Sequence, residues 1–156
     1  MSKTILLLRH GEEPAVQPNP DLSSAGQKRA DRLARFIPKE LGRPGLIVAA
    51  SPSSSSVRCF LTVRPLAAAL KTTVDTSHKG EDFAPLAFKL LGDPTLRNKF
   101  VVVCWTHNEL PSLAAYLDVE RRDFPARWPD EVYDLLFVLR YGKGARPAVK
   151  AITQPF

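Results

Sequence analysis

The sequence predicts an α/β fold, a three-layer α/β/α sandwich with a mostly parallel central sheet. Short apolar runs, typical of strands covered on both faces, alternate with segments whose apolar residues recur at helical spacing. Such alternation is typical of parallel strands joined by helices that cover both faces of a sheet. The 156 residues are the usual size of one domain. Since no linker or internal repeat divides the chain, we expect a single domain over residues 1–156.

The chain begins with a predicted strand at Ile5–Leu8, an unbroken apolar run. A helix follows, with its apolar residues on one face. Its expected cap is Ser23 or Ser24, because a serine side chain can accept a hydrogen bond from the free N–H groups of the first turn. Its expected end is Pro38, since proline interrupts helical hydrogen bonding. The second predicted strand is Leu46–Ala50, which a serine run follows.

The middle of the chain contains two further predicted helices. The first covers about Ser55–Leu70, with a kink or a break at Pro65. A short strand is predicted at Thr73–Asp75. The segment HKGED then opens another helix, in which apolar residues from Phe83 to Leu90 keep helical spacing.

The last part of the chain carries the most convincing strand, Phe100–Trp105, and then a fourth helix with an apolar stripe from Leu110 to Leu117. After a loop of sequence FPARWPDEVYD, two late strands are predicted at Asp134–Tyr141 and Ala148–Thr153.

The composition restricts the possible functions. The chain carries 22 lysines and arginines against 16 acidic residues, a net charge of +6. These basic residues are scattered and form no aromatic-basic motif, so nucleic-acid binding is not expected. The apolar runs are too short to cross a bilayer, and charges directly after the first run argue against a cleavable secretion signal. We therefore expect a cytoplasmic protein in which Cys59 and Cys104 are packed thiols, not a disulfide or a zinc site.

Cationic and imidazole side chains follow three of the predicted strands. The first strand ends in Arg9 and His10, the second leads to Arg58, and the long central strand leads to His107. Ligands of such sheets bind beyond the carboxyl ends of the strands, where these side chains would meet. The cluster would repel itself unless it held an anion, and guanidinium groups match phosphate oxygens in pairs. The sequence therefore predicts a site for phosphate-like anions.

Four segments in order resemble the histidine phosphatase superfamily, the phosphoglycerate mutase-like proteins. LLLRHGEEP resembles the nucleophile motif, and DLSSAGQKRADRLARFI is similar to the helix that follows it. SVRCFLTVRPLAAAL resembles the helix with the second arginine, and VVVCWTHNELPSLAAYL the segment with the second histidine. The resemblance covers about residues 3–118 and implies a phosphoglycerate mutase-like fold.

The resemblance also implies a mechanism. His10 would attack phosphorus and form a phosphohistidine, which water would then hydrolyse. Arg9, Arg58 and His107 would bind the phosphoryl oxygens, so neither a metal nor another cofactor is expected. Gly11 would leave room for substrate beside the imidazole ring.

The leaving group also needs a proton donor, for which the sequence offers two candidates. In relatives a carboxylate after the third strand supplies the proton, and HKGED offers Glu81 or Asp82. We favour Glu81, although a helix amino end stabilises the ionised carboxylate and so opposes proton donation. Asn108 is either a residue that orients the site and contacts substrate or a helix cap.

Three departures from the family pattern affect the expected activity. After RHG the chain continues EEPAVQPNP in place of the usual RHGET continuation with an asparagine, and this resembles the small phosphatase branch, a subgroup that includes phosphohistidine phosphatases. The second histidine is followed by Asn108 and Glu109 in place of the usual glycines, and the chain has little room for the inserted loops of mutases. We therefore expect hydrolysis of a small phosphomonoester or a phosphoprotein. The alternative is a catalytically weak regulatory domain that binds phosphate or a phosphopeptide. Specificity would come from the loops Glu13–Asp21, His78–Asp82 and Phe124–Asp134.

Overall fold

The computed structural model describes residues 3–144 and 146–156. Five strands form one sheet: β1 (Thr4–Arg9), β2 (Leu46–Ala49), β3 (Phe100–Trp105), β4 (Leu135–Arg140) and β5 (Ala148–Thr153). The order across the sheet is β2-β3-β1-β4-β5. Strands β1 and β2 both run parallel to β3, whereas β4 is antiparallel to β1 and β5 is antiparallel to β4.

The α/β prediction is confirmed, but the expectation of a mostly parallel sheet is wrong because β4 and β5 reverse. Residues 130 and 132 lie at the carboxyl end of β1, where their carbonyl oxygens accept hydrogen bonds from Arg9. Strand β4 therefore begins at that end and must run back along β1. Only residues 141–147 then connect β4 to β5, which is too short for a parallel crossover and leaves a hairpin.

The prediction of a strand at Thr73–Asp75 is also wrong. In the structure Asp75 makes a single bridge to Val48 of β2. Its side chain then accepts hydrogen bonds from the backbone and the hydroxyl of Ser77 at 2.9 and 2.6 Å. These local bonds turn the chain away from the sheet, as such side-chain bonds commonly do.

Within the described part of the chain, four α-helices accompany the sheet: α1 (Ser24–Phe36), α2 (Arg58–Ala69), α3 (Phe83–Gly92) and α4 (Leu110–Tyr116). Helix α1 packs on α2, and α3 packs on α4. Consecutive residues of the two central strands are buried, including Ile5–Leu8 and Val101–Cys104, so both faces of these strands are covered. This burial stabilises the two neighbouring strand ends that carry the site.

The helix ends differ in part from those predicted. Ser23 caps α1, since its hydroxyl accepts a hydrogen bond from the Gly26 N–H at 3.1 Å. Helix α1 ends before Pro38, but the chain continues as a π-helical turn over Ile37–Leu41. Proline has no N–H to donate, so the α-helical hydrogen-bond pattern is interrupted at Pro38. The turn ends at Gly42, whose φ of 113° disfavours a residue with a side chain.

Helix α2 begins three residues later than predicted and runs through Pro65 without a break. Thr62, Val63 and Leu66 on either side of the proline are buried, so packing holds the helix together where one backbone hydrogen bond is missing. Among the described residues, no helix combines the length and the apolar character needed to cross a membrane.

Candidate active site

The structure places both predicted histidines directly beyond the ends of neighbouring strands. Arg9 at the end of β1 pairs in register with Trp105 at the end of β3, and His10 and His107 follow these residues. The two imidazole rings are 6.4 Å apart between centroids and nearly perpendicular, at 86°. A ring nitrogen of His10 and one of His107 lie within 4.8 Å of each other, close enough for both to contact a single anion.

Arg9 is held rigidly at the bottom of the site, with 2% of its surface exposed. Its Nη1 donates hydrogen bonds to the carbonyl oxygens of Asp130 at 2.6 Å and Val132 at 3.2 Å. The guanidinium also lies over the Tyr133 ring, 3.9 Å from its centroid. These contacts fix the plane of the guanidinium and join the end of β1 to the loop before β4.

Arg58 begins α2 and is 9% exposed. Its Nη1 donates to the carbonyl oxygen of Asn19 at 2.5 Å. The Nε atoms of both Arg9 and Arg58 are buried and have no hydrogen-bond partner within the described chain. A buried N–H without a partner is costly, and an oxyanion is the acceptor that suits a guanidinium best.

His10 is 3% exposed, and the backbone of the next residue orients its ring. Its Nδ1 lies 2.7 Å from the carbonyl oxygen of Gly11, so Nδ1 carries the proton and Nε2 has a free electron pair. Burial lowers the pKa of His10 to about 3, and the positive charges of Arg9 and Arg58 act in the same direction. The imidazole is therefore neutral at pH 7, which is the form that can act as a nucleophile.

Gly11 is required by the packing of α1, a reason that differs from the predicted room for substrate. A Cβ on Gly11 would lie 2.9 Å from the carbonyl oxygen of Gly26, and one on Gly26 would lie 2.5 Å from that of Glu12. The Gly11 N–H also donates to the Thr62 hydroxyl at 2.8 Å, and this hydroxyl donates to the carbonyl oxygen of Arg58. Helices α1 and α2 are thereby joined to the end of β1. Substrate binding by Gly11 stays a prediction.

His107 lies beside an acidic residue that sequence analysis placed only in a loop. Its Nε2 is 3.3 Å from Oδ1 of Asp130. Burial lowers the pKa of His107, and Arg9 lowers it further, whereas Asp130 opposes the shift. An anion that entered this space would favour the protonated imidazole, which could then donate to an oxyanion.

Glu13, for which the sequence predicted only a place at the start of a specificity loop, lies among the charged groups of the site. Its Oε2 lies 3.5 Å from Nη2 of Arg9 and 3.8 Å from Nε2 of His10, and its Oε1 lies 3.9 Å from Nη2 of Arg58. The available signal was its position, three residues after His10. Glu13, His10 and His107 each offer a ligand atom within 4.8 Å of one another, but the two guanidinium groups beside them oppose a cation.

Two cavities meet at this edge of the sheet. The first, of about 500 Å³, is lined by Arg9, Glu13, His107, Asn108, Arg127, Asp130 and Tyr133. The second, of about 430 Å³, is lined by Ala50, Ser51, Pro52, Ser53, Ser55, Ser56, Cys59, Lys79, Gly80, Glu81, Thr106, Asn108 and Glu109. Asn108 borders both cavities. It is not the helix cap, since the cap position of α4 belongs to Glu109.

The two predicted proton donors do not line the cavity that contains Arg9 and His107. Glu81 is exposed on the wall of the second cavity, not in the cavity that contains Arg9 and His107. Asp82 is at the cap position of α3, where its side chain makes no capping hydrogen bond, and it lines neither cavity. Their roles stay predictions.

Solved structures with a similar fold include phosphatases. The protein histidine phosphatase SixA, in complex with tungstate, matches with a TM-score of 0.68 at 12% sequence identity, over 96% of each chain. A mycobacterial glucosyl-3-phosphoglycerate phosphatase matches with a TM-score of 0.64 at 15% identity, over 97% of this chain and 98% of that one. Its complex with inorganic phosphate matches with a TM-score of 0.63 at 17% identity, over 97% and 96%. No family model and no curated protein matches. The chain thus has the fold of the histidine phosphatases, as the motifs led us to expect.

The buried neutral state of His10 should make folding sensitive to acid. Because the folded state keeps this imidazole neutral and the unfolded chain protonates it below about pH 6.5, the unfolded state binds more protons between about pH 6.5 and pH 3. Acidification therefore favours unfolding, by about 1.4 kcal/mol per pH unit from this residue. Denaturant titrations between about pH 6 and pH 4.5 should show a steeper loss of stability in the wild type than in His10→Asn, and the difference in slope is the contribution of His10. Equal slopes in the two proteins would contradict the burial of a neutral His10.

Proposed function

We propose that this protein is a metal-independent phosphatase that hydrolyses a phosphomonoester or a phosphoprotein through a phosphohistidine on His10. The observation that carries the proposal is Nε2 of His10, which has a free electron pair and belongs to a ring that feels the positive charges of two buried arginines, Arg9 and Arg58. The unpartnered Nε atoms of these two arginines support the binding of an oxyanion in front of the ring.

The reaction has two steps. Nε2 of His10 forms a bond to phosphorus while the bond from phosphorus to the leaving oxygen breaks, and the leaving oxygen takes a proton. Water then attacks the phosphohistidine: its oxygen bonds to phosphorus, the N–P bond breaks with its electron pair returning to Nε2, and inorganic phosphate leaves. The proton lost by the water passes to the carboxylate that protonated the leaving oxygen in the first step. Arg9, Arg58 and a protonated His107 stabilise the negative charge of the equatorial oxygens in both transition states.

The leaving group belongs in the second cavity. That cavity adjoins the first at Asn108, so a substrate whose phosphoryl group lies against His10 can extend into it. Glu81 on its wall is then on the side of the leaving oxygen, which supports its predicted role as proton donor. Asp82 remains an alternative in the same loop.

The lining of the second cavity favours a polar leaving group. Ser51, Ser53, Ser55 and Lys79 are among the residues that line it. Hydroxyl and ammonium groups can bind sugar oxygens, carboxylates or peptide carbonyls. The substrate class thus stays open between small phosphorylated molecules and phosphoproteins. The expected cytoplasmic location belongs to this proposal and agrees with the two buried free cysteines, Cys59 and Cys104.

Trapping of the covalent intermediate tests the proposal. An aryl phosphate has a good leaving group, so the second step should limit turnover and the phosphorylated protein should accumulate. Quenching with alkali, digestion and mass spectrometry are expected to show a phosphoryl group on His10 that acid removes. His10→Ala serves as the control for labelling elsewhere. Release of the aryl alcohol with the label absent from His10 would contradict the mechanism. Binding of tungstate without any release would favour the regulatory binding domain.

A further inference from the structure

Glu13 brings a negative charge into the centre of the anion site. Its carboxylate approaches two proposed phosphate ligands, Arg9 and Arg58, and the nucleophilic nitrogen of His10, at 3.5 to 3.9 Å. Its side chain is 28% exposed, whereas the residues that it contacts are almost completely buried. It therefore lies at the entrance to the site, above the groups that would hold a phosphoryl group.

The carboxylate and a phosphoryl group compete for the same space. For attack, phosphorus must come within about 3.5 Å of Nε2 of His10, and its oxygens must come within about 2.9 Å of guanidinium nitrogens. Oε2 of Glu13 already lies 3.8 Å from Nε2 and 3.5 Å from Nη2 of Arg9. A bound phosphoryl group would meet a like charge at contact distance, so Glu13 must leave when substrate binds.

The side chain of Glu13 is free to leave. Its contacts with the arginines are longer than hydrogen bonds, at 3.5 and 3.9 Å. The preceding residue, Glu12, is held by true hydrogen bonds: both of its carboxylate oxygens accept from Arg29 at 2.9 Å. Glu12 is therefore fixed to α1, while Glu13 is held mainly by charge.

We propose that Glu13 is an internal competitor for the oxyanion and thereby sets the affinity of the site for phosphorylated ligands. It neutralises part of the charge of Arg9 and Arg58 in the free protein and is displaced when a phosphoryl group binds. After hydrolysis its return favours the release of inorganic phosphate. This inference deepens the proposed function and rests on its anion site, but it does not depend on turnover.

Direct binding of inorganic anions to Glu13→Gln tests the inference. The substitution removes the charge and keeps the size of the side chain. Titration calorimetry with tungstate and with inorganic phosphate is expected to give a dissociation constant about tenfold lower for Glu13→Gln than for the wild type. Glu131→Gln is the matched control, because it removes the same charge from an exposed residue that forms no ion pair within the described chain and lines neither cavity. Its affinities should equal those of the wild type.

The possible results separate this inference from the proposed function. Unchanged or weaker anion binding by Glu13→Gln overturns the inference, as does equal tightening by Glu131→Gln or no binding by any of the proteins. Tighter binding without hydrolysis of any phosphate ester supports Glu13 as a competitor and contradicts the phosphatase. If Glu13→Gln melts at a lower temperature than the wild type, Glu13→Ala is measured in the same way, with the same direction expected.

Discussion

Hydrolysis of an aryl phosphate is expected to fall by at least about a thousandfold in His10→Ala. Among the described residues, no second nucleophile lies in an equivalent position. The other imidazole of the site, that of His107, has its Nε2 3.3 Å from Oδ1 of Asp130. The change also removes a buried side chain and its hydrogen bond to the carbonyl oxygen of Gly11, so a modest fall in melting temperature is expected as well. The loss of rate is therefore measured as kcat well below the melting temperature of the variant, where the protein is folded.

The third histidine of the chain provides the matched control. His78 lines neither cavity, and its backbone carbonyl, which accepts a hydrogen bond from Ser51 at 2.8 Å, is retained in His78→Ala. This variant should keep the activity of the wild type. Turnover by His10→Ala within about tenfold of the wild type would instead mean that the chemistry does not proceed through this imidazole.

The sequence predicted the part of the site that lies at parallel strand ends. Arg9, His10 and His107 follow two strands with continuous apolar runs, and such strands pair in parallel with their carboxyl ends together. Arg58 could be added because a buried strand and a helix start define where it lies. Local patterns of hydrophobicity placed these residues at strand and helix ends, and the resemblance to the histidine phosphatases singled them out.

The rest of the site depends on how loops pack, which no local pattern encodes. Asp130 reaches His107 because Arg9 fixes the carbonyl groups of the loop before β4, a contact across more than a hundred residues. Glu13 meets both arginines only because α2 begins beside the end of β1. The reversed direction of β4 has the same origin, since the loop fixed by Arg9 sets the end of the sheet at which β4 begins.

The contacts of Arg9 lead to the second large effect, which Arg9→Lys is expected to show. The planar guanidinium can donate hydrogen bonds to the carbonyl oxygens of Asp130 and Val132 and, at the same time, to an oxyanion. Lysine keeps the charge but cannot make all of these hydrogen bonds at once. We expect kcat/KM for an aryl phosphate to fall about a hundredfold, comparable to the loss of one oxyanion donor. The melting temperature should fall as well, because this loop loses hydrogen bonds in a buried site.

Because Arg9 both binds the anion and positions a loop, rate and stability together distinguish its roles. Loss of affinity for tungstate in Arg9→Lys indicates anion binding, whereas a change in melting temperature alone indicates loop packing. The control is Arg140→Lys, an exposed arginine that pairs with Thr4 at the opposite end of β1. Its rate and its melting temperature should match those of the wild type, since exposed charges contribute little to stability. An Arg9→Lys protein with unchanged kcat/KM and unchanged tungstate affinity would remove this guanidinium from the proposed anion site.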